Sequence, residues 1–139
     1  MVSTNSLDSI YFIKLPEGSV LSPKAMKIDP EIPLPVQKKN PEDPVEQDAA
    51  KLSEEQILSG ILTVLAYDKK NENAEYYRKL ITDVRPGIKK ELAEAAILKA
   101  RNEDWDLAEE IWLAVNGIDP QDKAIILNMA IFFDQKADS

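Results

Sequence analysis

The chain contains no cysteine and no histidine among its 139 residues. Without cysteine, disulfides, thiolate nucleophiles and sulfur-ligated metals are excluded. Without histidine, the side chain that most often serves as general base or metal ligand is gone. Carboxylates are abundant, but no Asp/Gly loop has calcium-binding spacing, and no metal or other cofactor is expected. Glycine is scarce; Gly18, Gly60, Gly87 and Gly117 stand isolated, so no glycine-rich phosphate loop can form. No nucleophile lies beside a base in a recognisable motif. Groups such as Glu103, Asp104 and Asp106 fall where solvated helix starts want charge. The chain is expected not to be an enzyme.

Long apolar runs are also missing. Ile61–Tyr67 and Ile125–Phe133 are too short to span a bilayer, and the first residues carry no positive charge of a secretion signal. Membrane insertion is therefore not expected. The chain is read as soluble and cytoplasmic, or periplasmic if an export signal once preceded Met1. Lys and Arg number 17 against 25 Asp and Glu, giving a net charge of -8. Such a surface repels phosphates and argues against nucleic acid.

Proline is concentrated at one end. Seven of the nine prolines lie within the first 44 residues, where lost backbone donors and fixed φ disfavour a sustained helix. Residues 1–50 read as an extended, Pro-rich N-terminal arm. Leu7–Leu15 has the β-branched and aromatic content of a short strand. Ile28–Val36 reads as extended or polyproline-II backbone, and Lys38–Asp48 as a polar linker. The apolar content of the arm predicts docking, against the repeats of its own chain or of a neighbour, rather than disorder.

From residue 51 the period becomes helical. Ser53 and Gln56 have the spacing of a capping box, followed by Leu58, Ile61, Leu62 and Leu65 on one stripe. Further helices are expected over Ala74–Val84, Ile88–Arg101, about Asp104 to Asn116, and Lys123–Lys136. Gly117 is expected to close the fourth in a left-handed conformation.

A period of 34 residues runs through these helices: Leu58, Leu92 and Ile126; Ala74 and Ala108; Pro86 and Pro120. The middle unit, with Leu92, Ala95, Ala96, Ala108, Trp112 and Ile118-Asp119-Pro120, resembles the tetratricopeptide repeat family. About two and a half units cover residues 55–139. Leu62 replaces a small residue and predicts a splayed first hairpin, while Arg78 and Lys99 replace aromatics. The resemblance implies an all-α fold, a short right-handed α-solenoid of helix-turn-helix hairpins over residues 51–139.

It also implies a noncatalytic module for protein–protein interaction, part of a longer repeat protein. Its concave groove would take an extended apolar peptide or a partner helix. By resemblance that face carries Thr63, Tyr67, Lys90, Ala93, Ile97, Arg101, Leu127 and Ile131. Ser59 and Thr63 replace the Lys and Asn of the family's carboxylate clamp, which excludes that specialised function.

The fifth helix is apolar on nearly every side, whereas the end of a repeat array needs a polar outer face. Ile126, Met129, Phe132 and Phe133 are therefore expected to support self-association, and the partner to be a protein, a peptide or a second copy. The alternatives are a structural assembly subunit and a chaperone for secreted proteins.

Overall fold

The structure is a computed structural model that describes residues 7–21 and 26–139. Part of the proline-rich arm, including Pro23, lies outside the described residues. Five helices dominate: α1 (Glu54–Tyr67), α2 (Ala74–Val84), α3 (Ile88–Arg101), α4 (Trp105–Ile118) and α5 (Lys123–Ala137). A two-stranded antiparallel sheet, β1 (Ile10–Ile13) and β2 (Leu34–Gln37), precedes them. The fold is mostly helical, as the sequence predicts.

The arm is more ordered than an extended strap. β1 pairs with β2 in a register that sets Tyr11 against Val36 and Phe12 against Pro35. The β-branched and aromatic run supplies β1, as expected. The proline-containing segment completes the hairpin because Pro35 turns its backbone polar side away from β1: its carbonyl faces α1, where a Cβ built on Gly60 would collide with it. A strand residue directs N–H and C=O to the same side, so the missing donor costs no bond to β1.

The hairpin docks on its own chain. Leu34 and Val36 are fully buried among Ile57, Ile61, Val64, Tyr77 and Leu80. Tyr77 donates its hydroxyl hydrogen to the Pro33 carbonyl at 2.6 Å. The Asp29 amide donates to the Tyr76 hydroxyl at 2.9 Å, and the Gln56 side-chain amide donates to the Gln37 carbonyl.

α1 is capped by the Ser53/Gln56 box, each side chain bonded to the other residue's backbone amide. It packs on β2, α2 and α4, and α4 lies between α1 and α3. α5 rests on α4. The contact between α1 and α2 is less extensive than that between α3 and α4, while Leu62 faces the α1–α4 side rather than α2.

Gly117 differs from expectation. It is helical, inside the last turn of α4, and α4 continues to Ile118. Its role is close approach, because a Cβ there would overlap the Leu65 backbone and come within 2.9 Å of the Leu65 Cβ. Glycine is needed for contact between α4 and α1, not for a left-handed cap.

Burial does not follow the 34-residue register. Leu58, Ile61 and Leu65 are interior, whereas Ile126 and Phe133 at the equivalent positions of α5 are exposed. The second-helix positions agree better: Ala74, Ala108 and Trp112 are all buried. Two apolar clusters result, one joining the arm to α1 and α2, the other joining α3, α4 and α5.

Candidate binding grooves

Two grooves flank α4. The first is about 420 Å³ and lies between α1 and α4, closed at one end by Gln37 and Ser9 of the arm. Ala66 and Ala114 leave its depth, and Leu62 and Ile111 supply apolar walls. The Thr63 hydroxyl, half-buried in the groove wall, donates to the Ser59 carbonyl at 2.9 Å and lies 3.4 Å from the Gln37 amide oxygen.

The second groove, about 410 Å³, runs between α3 and α5 over α4. Its floor is Trp112 and Phe132, its walls Ile97 and Ile131, and its polar fringe Arg101, Asn128 and Gln135. Trp105 stacks obliquely on Phe132 with ring centroids 6.1 Å apart, and Phe132 meets Phe133 edge-on at 5.2 Å. Such pairs fix ring orientation beyond what burial alone supplies. Lys136 ties α5 to Glu109 of α4 beside this groove. That hydrogen bond raises the Lys136 ammonium above its ordinary pKa.

The expected concave face is therefore divided by α4. Thr63 and Tyr67 line the first groove; Ile97, Arg101 and Ile131 line the second. Lys90 and Leu127 line neither, both being exposed, and Ala93 packs against the second apolar cluster. Of the residues expected in self-association, Ile126 and Phe133 are exposed and Met129 is half-buried. Phe132 is the exception. At 2 % exposure it is spent on holding α5 to Trp105 and Trp112, so it faces the interior.

Several polar anchors were not legible in the sequence. Arg78 reaches across to α4, its Nε donating to the Gly117 carbonyl at 2.7 Å. Lys89 at the start of α3 clamps the loop before α5, with Asp119 at 3.0 Å and Asp122 at 2.9 Å. Asp122 also caps α5 by accepting from the Ala124 and Ile125 amides. The Lys89 ammonium, then the Ile125 amide, hold the Asp122 carboxyl below its usual range. The two carboxylates in turn raise Lys89.

Among the described residues there is no cluster of acidic side chains able to hold a metal ion, and no helix long and apolar enough to cross a membrane. No family model, curated protein or solved structure matches the chain.

Proposed function

We propose that this chain is a noncatalytic protein-interaction module, a short stack of helical hairpins of tetratricopeptide character. It takes an apolar segment of a protein partner in the groove between α3 and α5. The observation that carries this reading is the aromatic floor of Trp112 and Phe132 beneath Ile97 and Ile131, whose exposures are 42 % and 48 %. Large apolar walls facing one another across an open channel favour a ligand that removes them from water. α3 and α5 both lean on α4, and a channel of that form suits a helix carrying an apolar stripe, or an extended apolar peptide. Arg101 and the polar fringe would set its direction.

The test is display of helical and extended peptide libraries against the full chain, with enriched peptides measured by fluorescence anisotropy. Ile97→Glu and Ile131→Glu should each weaken capture by about tenfold or more, since a charge in a desolvated pocket costs well over 1.4 kcal/mol. Enriched peptides that bind both variants as well as the parent would overturn the assignment.

A second reading is favoured by a different face of the same helix. Ile126, Leu127 and Phe133 are exposed away from α4, which suits assembly with another subunit. Leu127→Glu, at a side chain that lines neither groove, should dissolve such an assembly and leave peptide capture intact.

A further inference from the structure

We propose that two copies of this chain pair through the open edge of β1, forming a continuous four-stranded antiparallel sheet. Among the described residues the sheet has two strands, and their outer edges are unequal. β2 is buried along most of its length and its outer edge is covered by α1, whose Gly60 sits against the Pro35 carbonyl. No residue of β1 is fully buried, and Phe12 is 46 % exposed.

The hydrogen-bond parity of β1 follows from its register. The Lys38 amide donates to the Ser9 carbonyl at 3.0 Å, so Ser9, Tyr11 and Ile13 direct their backbone polar groups toward β2. Ile10 and Phe12, on the alternate positions, direct theirs outward. Pro35 opposite Phe12 agrees with this parity, because it has no amide to offer β1. The outer edge thus presents two N–H and two C=O groups beside an exposed aromatic ring. Neither a proline nor a lysine within Ile10–Ile13 blunts it, the usual protections of a free edge.

Charge selects the occupant and its direction. Asp8 precedes the strand in a single 3-10 turn, and Lys14 follows it. Both are exposed; the contact of Lys14 with Glu31 is long, at 3.8 Å, and solvated on both sides. Antiparallel pairing of two copies about Tyr11 sets Ile10 of one against Phe12 of the other, twice. It also brings the acidic end of each strand, where Asp8 sits, close to the Lys14 end of the other. Parallel pairing would bring like charges together. The parity matches too, since Ile10 and Phe12 are the residues whose amides and carbonyls point outward. Four backbone hydrogen bonds and one apolar row then close a two-fold interface, self-complementary as such symmetry requires.

Sedimentation velocity and native mass spectrometry of the full chain test this. The parent should dimerise. Phe12→Pro removes an outward amide that makes no bond to β2, and Phe12→Lys charges the seam while leaving the strand able to form. Either should weaken dimerisation roughly tenfold or more, with circular dichroism confirming the fold. Asp8→Lys should weaken it by a smaller factor, and Asp8→Lys/Lys14→Asp should restore it. A monomer at every concentration overturns the proposal. So does a dimer indifferent to both Phe12 variants but lost in Phe133→Glu, which would place the contact on α5. Failure of the double swap to recover the dimer overturns the two-fold register.

Discussion

The position with least tolerance is Gly117. α4 and α1 approach until the space for one methyl group is filled by the Leu65 backbone. Alanine is otherwise the better helix former by about 1 kcal/mol, so Gly117→Ala on an isolated helix would stabilise. Here the helices must separate, at a cost of about 1–3 kcal/mol from overpacking. The net expectation is destabilisation of up to about 2 kcal/mol, read as a lower urea midpoint; a raised midpoint would refute the close contact. Lys89 and Asp122 give a second residue-scale prediction, this time in pH. The Asp122 carboxyl is held below its ordinary 3.8, first by Lys89 and then by the Ile125 amide. Its contribution to stability is present above that value and disappears as pH falls through the lowered native one. Lys89 is raised above 10.5, so its contribution is complete below that value and fades as pH rises through the native one. Asp122→Asn keeps a good helix cap and removes the charge. The variant should be less stable than the parent at neutral pH, and the difference should shrink as pH falls below 3.8 and vanish once it has passed through the lowered native value. A gap that persists unchanged in acid would show that the clamp is not electrostatic.

At the scale of elements, what was legible depended on whether the cause was local. The five helices were readable because apolar spacing and the Ser53/Gln56 box act within a few residues. β1 was readable from Ile10, Tyr11, Phe12 and Ile13. The pairing of β2 was hidden, since Pro33 and Pro35 look unsuited to a sheet until the register shows Pro35 facing α1 rather than β1. Arg78 and Lys89 were equally hidden, because each serves a carbonyl or carboxylate 30 or more residues away. The 34-residue period located the buried Ala74, Ala108 and Trp112. It did not foresee that α4 would separate Thr63 and Tyr67 from Ile97, Arg101 and Ile131, since a period carries no information on which helices become neighbours. The arm offers the corresponding test. Its Leu34 and Val36 are fully buried against α1 and α2, so the hairpin is a structural part of the first apolar cluster. Leu34→Ala should cost about 2–5 kcal/mol through the lost burial and the cavity left behind. Calorimetry of that variant showing an unchanged melting temperature would make the arm an appendage.

For the whole molecule, the two ends of the chain divide the labour differently. At the N-terminal end the arm covers α1 and α2, so the first cluster is closed by residues of the same chain. At the other end α5 buries only Ile125 and Phe132 and leaves Ile126, Leu127, Ile131 and Phe133 in water. The same helix thus holds a residue that anchors it and residues that are offered outward, and substitutions should separate the two. Phe132→Ala removes the ring beneath Trp105 and should cost about 3–5 kcal/mol of stability. Leu127→Glu, on a side chain 62 % exposed, should leave the melting temperature of the isolated chain within about 3 °C, because exposed substitutions rarely move stability by more than about 0.5 kcal/mol. Its effect should appear instead in association, as slower concentration-dependent sedimentation broadening than the parent shows. If Leu127→Glu unfolds the chain as Phe132→Ala does, α5 is buried against something within the molecule. If it alters neither stability nor association, the exposed side of α5 is inert, and the contacts of this protein belong to the α3–α5 groove and the edge of β1.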